Sequence, residues 1–113
     1  MKKIFLVLIL ALSLNANWRN GNEFVNDMKE SIKFSKDKSG DLYSALAYHG
    51  YVDGVRDTLI DAQYICIPQG VTGGQIYSVI EKFILNNPEK WNNSASYLVE
   101  TPLLNTFPCK KKK

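Results

Sequence analysis

The sequence is poor in the residues that build metal sites and catalytic sites. It has one histidine, His49, and two cysteines, Cys66 and Cys109. One histidine and two distant cysteines do not provide the ligand spacing of a zinc site. The glycine-rich stretch 70–74 lacks the Lys-Ser/Thr pair of a phosphate-binding loop. We therefore expect no cofactor and no metal, and His49 is the only conventional base near neutral pH.

A hydrophobic run long enough to cross a membrane is also missing. The apolar run at 4–14 is shorter than the roughly twenty residues that span a bilayer. Lys2 and Lys3 precede this run and Ala16 follows it, which is the order of a cleavable secretory signal. The sequence therefore predicts a signal peptide at 1–16, export to the periplasm, and no membrane contact after cleavage.

A strong positive charge is absent from the central part of the chain. The net charge is +3, but six of the 14 basic residues lie at the two ends, as Lys2, Lys3 and 110–113. The segment between them has 8 basic and 11 acidic residues, so nucleic acid is not an expected partner. We interpret 17–109 as the folded domain and 110–113 as a basic tail.

Export changes the interpretation of the two cysteines. In an oxidising compartment, Cys66 and Cys109 are expected to form a disulfide bond. It would close a loop of about 44 residues, for which chain entropy predicts about 4 kcal/mol of stabilisation. A catalytic thiol would instead need a neighbouring base, and His49 is the only candidate.

The spacing of apolar residues predicts an all-α domain of four to five helices. The first helix would follow Asn22 as N-cap. The third would begin with a capping box between Thr72 and Gln75. The last would contain Pro102, which should kink or shorten it. The second would run over 41–64 and bury one stripe: Leu42, Leu46, His49, Val52, Val55, Leu59 and Ala62.

Three features of the second helix admit more than one interpretation. Gly50 and Gly54 lie four residues apart, which usually means that another backbone approaches closely; we favour packing inside the domain over a dimer contact. His49 lies on the predicted apolar stripe, where a packed, hydrogen-bonded side chain is favoured over a general base. The carboxylates of Asp53, Asp57 and Asp61 lie on the polar face. They could act in acid-base chemistry, but a solvated face or one offered to a basic partner is the favoured interpretation.

Several sequence blocks resemble a known family. They are 50–55 (GYVDGV), 66–75 (CIPQGVTGGQ), 87–89 (NPE) and 107–109 (FPC). Together they are similar to the Rap/Tai family of type VI secretion immunity proteins, over about 20–109. The resemblance implies a small helical periplasmic protein, often a homodimer, without enzymatic activity. It also implies that the partner is a cognate peptidoglycan amidase effector, which the immunity protein blocks sterically.

The sequence departs from the family pattern at a few positions. Many relatives have cysteines where Met28 and Tyr48 stand here. Both side chains are large enough to pack against each other, so a contact could replace a second disulfide. Pro102 stands where a helix-forming residue is usual, which affects the expected shape of the last helix.

The leading hypothesis is therefore an amidase immunity protein. Its contact surface is predicted between two helices at Glu89, Lys90, Trp91 and Asn92, and the acidic patch of Asp53, Asp57 and Asp61 is a second candidate. A tryptophan beside charged residues is a good interface anchor, although packing of Trp91 on its own core is an equal alternative. A small periplasmic chaperone without enzymatic activity is the alternative function, and an enzyme using His49 with a carboxylate is a third.

Overall fold

Four α-helices and one short 3₁₀ turn make up the fold in the computed structural model, which describes residues 19–110. The elements in chain order are α1 (Gly21–Asp37), α2 (Leu42–Asp61), α3 (Gly73–Asn86), the 3₁₀ turn (Pro88–Lys90) and α4 (Ala95–Thr106). The described residues contain isolated β-bridges but no strand, so the predicted all-α class is confirmed. The predicted signal peptide and residues 111–113 lie outside the described residues.

Helix α1 begins two residues earlier than predicted. Its N-cap is Asn20, whose side-chain oxygen accepts a hydrogen bond from the backbone N–H of Asn22 at 2.8 Å. The prediction that Asn22 is the N-cap was wrong. Both asparagines can cap, but Gly21 packs against the backbone of a later segment, and this contact fixes where the helix begins.

Helix α2 buries a different face from the predicted one. Leu42 and Leu46 are exposed, whereas Ala45 and Tyr48 are buried. Val52 and Leu59 were predicted correctly and are buried. The helix is apolar around much of its circumference in its first half, so periodicity alone did not define the core-facing side.

Helices α3 and α4 form where the sequence predicted them. The capping box is present at the start of α3, since Thr72 Oγ1 accepts from the Gln75 backbone N–H and Gln75 Oε1 accepts from the Thr72 N–H. Helix α4 is capped by Ser94 and continues to Thr106. Pro102 does not shorten α4 as expected: the helix continues for four residues beyond it, and its side chain is buried.

The core lies where α1 packs on α2 and where α4 packs on α2 and α3. Its fully buried side chains include Met28 and Tyr48, the two positions where the resemblance led us to expect cysteines. Phe24 lies against the Tyr48 ring, with 5.3 Å between ring centroids. Both substituted positions therefore contribute apolar packing to the core, whose stabilisation grows with the area buried.

The predicted disulfide bond between Cys66 and Cys109 is present. Beside it, the Cys66 N–H donates to the Phe107 carbonyl at 2.9 Å, and Ile65 pairs with Pro108 in an isolated bridge. The C-terminal residues are thereby fastened to the loop between α2 and α3. None of the described helices is both long and apolar enough to cross a membrane.

Gly50 and Gly54 do not pack inside the domain. A Cβ atom built on either glycine meets no neighbouring atom within 4 Å. The expectation that these glycines admit another helix of the same chain was therefore wrong. They lie on the solvent side of α2 because its core-facing side is the one that carries Tyr48 and Val52.

Candidate interaction surfaces

The segment between α3 and α4 is held in one conformation by its own hydrogen bonds. Asn87 Nδ2 donates to the Phe83 carbonyl at 2.7 Å, and Asn93 Nδ2 donates to the Lys90 carbonyl at 2.9 Å. Pro88 fixes the backbone of the 3₁₀ turn at its first position. A connection of this kind is preorganised, so little conformational entropy is lost when a partner binds it.

Trp91 anchors this segment to its own domain. Its indole Nε1 donates to the Ile84 carbonyl at 2.7 Å, and Lys29 Nζ lies 4.5 Å from the ring centroid. The side chain is half-buried against the core. The sequence left two alternatives for Trp91, and the structure shows the one in which it packs on its own core. Glu89 and Asn92 are exposed beside it.

The first turn of helix α1 packs against the backbone of the same segment. A Cβ atom on Gly21 would overlap the carbonyl oxygens of Trp91 and Asn93, so only glycine allows this approach. Asn20 also pairs with Ser94 in an isolated bridge. The position of the segment therefore depends on the first turn of α1, a relation that the sequence did not indicate.

The three predicted acidic residues lie on α2 in different environments. Asp53 accepts a hydrogen bond from the Tyr77 hydroxyl at 2.5 Å and pairs with Arg56 at 3.3 Å. Asp57 pairs with the same arginine at 3.1 Å. Asp61 is exposed and makes no ion pair within 19–110. Arg56 thus pairs with two of the three carboxylates and offsets one of their negative charges.

His49 lies in a polar cluster between α1, α2 and α3. Its Nε2 is 3.0 Å from Ser31 Oγ, and its ring lies against Tyr77, with 4.7 Å between centroids. It is therefore the packed, hydrogen-bonded histidine that the sequence favoured. No group of three or more His, Cys, Asp or Glu side chains that could hold a metal ion occurs in the described part of the chain.

The same cluster contains a half-buried contact between a carboxylate and a tyrosine. The Tyr48 hydroxyl donates to Glu81 Oε2 at 2.9 Å. Burial raises the pKa of Glu81, and the Tyr48 hydrogen bond and nearby His49 only partly oppose that rise. Burial also raises the pKa of Tyr48, and the neighbouring Glu81 charge raises it further. Tyr48 therefore stays neutral, and its hydroxyl donates a hydrogen bond to the carboxylate.

A surface that sequence reasoning missed lies on the solvent side of α2. We define the outer face of α2 as the solvent-facing residues that recur at helical spacing: Tyr43, Leu46, Ala47, Gly50, Gly54, Asp57, Thr58 and Asp61. At its centre is a groove of about 410 Å³, bordered by Gly50, Gly54 and Glu100. The sequence did single out Gly50 and Gly54, but its pattern favoured packing inside the domain over a dimer contact, and it placed Leu46 on the buried stripe.

A disulfide-tied helical scaffold with exposed, preformed surfaces is typical of a small protein-binding domain. Residues 20–109 match the family model described as Rap1a immunity proteins, and the chain belongs to this family. Its members are inhibitors and not enzymes, so the protein has a role in type VI effector immunity and binds an effector protein. No curated protein and no solved structure gives a significant match to the chain.

Proposed function

We propose that the protein acts in the periplasm, where it binds a type VI peptidoglycan amidase effector and sterically blocks it. The observation that carries this proposal is the family match, which covers 20–109 and therefore nearly all of the described domain. The predicted signal peptide at 1–16 and the Cys66–Cys109 disulfide suit an oxidising compartment outside the cytoplasm. Peptidoglycan is the substrate that an effector would attack there.

The segment at 88–92 is the proposed contact with the effector. Glu89 and Asn92 are exposed at its tip, while Trp91 and Asn87 hold it from the inside through hydrogen bonds to α3. A rigid projection suits steric occlusion, because it can fill a substrate groove without first becoming ordered. In this proposal Trp91 is a positioning residue, and its neighbours touch the partner.

The acidic end of α2 is the proposed second contact. Asp61 is exposed and makes no ion pair within 19–110, so it can pair with a cation on the partner. Asp53 and Asp57 already share one cation of this chain, Arg56. Exposed charge pairs at an interface rim mainly change the association rate, so Asp61 is expected to contribute less affinity than the 88–92 segment.

The test is inhibition of a defined enzyme. The immobilised protein is used to capture partners from lysates of the source strain and its kin, and a captured amidase is then assayed on purified peptidoglycan. We expect a single dominant partner, with hydrolysis abolished at a one-to-one ratio of binding sites. Capture of many unrelated proteins, or suppression of their aggregation at low pH, would instead support the chaperone alternative.

Variants of the segment test where the effector binds. Replacing Glu89 and Asn92 together by arginine should weaken effector binding by at least about tenfold, since interface centres contain the few residues that dominate affinity. Ser78→Arg is the matched control, because Ser78 is an exposed helical residue on α3. Calorimetric titration gives the affinities. Equal affinities for both variants would place the contact elsewhere.

A further inference from the structure

A cavity of about 470 Å³ opens between α1, α2 and α3, beside the polar cluster around His49. It lies where two helix pairs meet, since α1 packs on α2 and α3 packs on α4. Polar side chains from all three helices line it: Ser31 and Lys36 of α1, His49 of α2, and Tyr77 and Glu81 of α3. Its volume lies in the range of pockets that hold small molecules, and the proposed effector contacts do not use it.

Glu81 gives the cavity an anionic group that has no cation beside it. Within the described residues its one hydrogen bond joins Oε2 to the Tyr48 hydroxyl, which leaves Oε1 for a ligand. No lysine or arginine within 19–110 forms an ion pair with it. A carboxylate that is partly removed from water without a counter-charge is costly. A cationic group in the cavity would supply that charge.

The aromatic rings beside Glu81 suit an ammonium group. The ring of Tyr77 lies 4.7 Å from that of His49 and 5.7 Å from that of Tyr48, measured between centroids. Aromatic faces attract cations. The Tyr77 hydroxyl is already engaged, because it donates to Asp53, so the ring is the part of Tyr77 that is left for a ligand.

Lys36 gives the same cavity a cationic group. It is exposed in the last turn of α1, and it forms no ion pair within 19–110. Glu81 and Lys36 therefore line one cavity without pairing with each other. A ligand with one ammonium and one carboxylate group can satisfy both, through charge-assisted hydrogen bonds. Ser35 adds a hydroxyl to the wall, which suits an amide group between the two charged ends.

We propose that this cavity binds a small zwitterionic peptide, with its ammonium group on Glu81 and its carboxylate on Lys36. The bound peptide would connect α1 to α3 and so join the two helix pairs. This inference goes beyond the proposed function, because the site is separate from both proposed effector contacts. Its test contains no effector, so the failure of either proposal leaves the other standing.

The first experiment uses the only histidine of the chain as a reporter inside the site. The imidazole NMR signals of His49 are followed in the untagged, full-length protein near neutral pH while the dipeptide L-alanyl-L-alanine is added. We expect a saturable shift and a rise in melting temperature, because a ligand that binds only the folded state stabilises it. The N-acetylated dipeptide lacks the ammonium group and the dipeptide amide lacks the carboxylate. Each should bind at least about tenfold more weakly.

The second experiment assigns each charged end of the ligand to a residue. Glu81→Gln keeps an acceptor for Tyr48 and removes the charge, so it should weaken dipeptide binding at least about tenfold. It should leave the affinity for the N-acetylated dipeptide unchanged. Lys36→Gln should weaken binding of the dipeptide but not of its amide. A loss of structure would not separate the probes in this way.

Two variants outside the cavity are the matched controls. Glu100→Gln removes a half-buried carboxylate on α4, and Lys82→Gln removes an exposed lysine on α3. Both residues lie outside the lining of this cavity. Each control should bind the dipeptide as the wild type does, with the same helix content by circular dichroism.

Three outcomes would overturn the proposal. One is a set of His49 signals that shows no saturable shift at any dipeptide concentration reached. Another is equal binding of the free and N-acetylated dipeptides to the wild type, a comparison that does not depend on any variant folding. The third is a Glu81→Gln variant that binds the dipeptide as tightly as the wild type does.

Discussion

At the residue scale, the contact between Tyr48 and Glu81 links a buried aromatic ring to a carboxylate whose pKa is raised. The Tyr48 ring is fully buried, and its hydroxyl reaches Glu81 Oε2, which lies at the edge of the core. Burial raises the pKa of Glu81, which means that the folded protein holds the carboxyl proton more tightly than the unfolded chain does. The ionised carboxylate therefore reduces stability at neutral pH, and the folded state gains stability as pH falls through the raised pKa.

The destabilising effect of the ionised Glu81 carboxylate can be tested with the substitution Glu81→Gln. Glutamine keeps an oxygen that can accept the Tyr48 hydrogen bond, and it removes the charge. We expect the variant to melt a few degrees higher than the wild type at about pH 7.5. The difference should shrink as pH falls and vanish below about pH 4, where the carboxyl is protonated in both folded and unfolded chains.

Thermal melts followed by circular dichroism across this pH range give the measurement. Glu89→Gln is the matched control, because Glu89 is exposed on the 3₁₀ turn, and its melting temperature should follow the wild type at each pH. A wild type that is more stable than Glu81→Gln at neutral pH would show that the charge-assisted Tyr48 hydrogen bond outweighs the cost of burying the carboxylate.

At the scale of helices, the buried face could be predicted from the sequence only where the apolar residues lie on one side of the helix. Helix α3 was predicted well because its capping box fixes the start and because Ile76, Ile80 and Ile84 form a single stripe, all buried. Helix α2 has apolar residues on two sides of its first half. Tyr48 is buried and Leu46 is exposed because the Tyr48 ring packs against Phe24 of α1. This tertiary contact cannot be read from the sequence of α2 alone.

Gly21 tests how one helix end positions the candidate effector site. In Gly21→Ala, the added methyl group would overlap the carbonyl oxygens of Trp91 and Asn93. Relief of that overlap must move backbone, so we expect a loss of about 1–3 kcal/mol in the free energy of unfolding. Effector affinity should fall with it, because the 88–92 segment would be displaced.

Urea denaturation measures the loss, and Gly73→Ala is the control. Gly73 begins α3, and a Cβ there meets no neighbouring atom within 4 Å, so alanine should be neutral or slightly stabilising. If Gly21→Ala unfolds at the same urea concentration as the wild type, the close approach of α1 to this segment is not a constraint on the fold.

At the scale of the whole molecule, the sequence predicted the order of the helices better than the geometry of the candidate surfaces. The segment at 88–92 was predicted as a contact because it lies between two helices and carries Trp91 beside charged residues, but the sequence left open whether Trp91 points outward or packs inward. Its hydrogen bond to the Ile84 carbonyl depends on how α3 and α4 meet. The sequence also did not predict that the outer face of α2 is exposed, because the exposure of Gly50 depends on where the other helices pack.

The disulfide bond is the constraint that acts on the molecule as a whole. It joins Cys66, after α2, to Cys109, after α4, across a sequence separation of 43 residues. Both α3 and α4 lie inside the loop that it closes. For this loop length, the entropy removed from the unfolded chain corresponds to about 4 kcal/mol, a large share of the 5–15 kcal/mol that stabilises a typical domain.

Replacing both cysteines by serine should therefore lower the free energy of unfolding by about 4 kcal/mol, measured by urea denaturation at neutral pH. The wild type in excess reductant should lose a similar amount, and reductant should not affect the double variant. Helix α3 keeps its capping box and α1 keeps its packing on α2, so the reduced protein should remain helical but unfold more readily. A loss below about 1 kcal/mol would mean that the pairing of Ile65 with Pro108 holds the C-terminus without the covalent bond. A loss near the expected value would remove a large share of a typical domain's stability, so the protein would be most stable in compartments where disulfides persist.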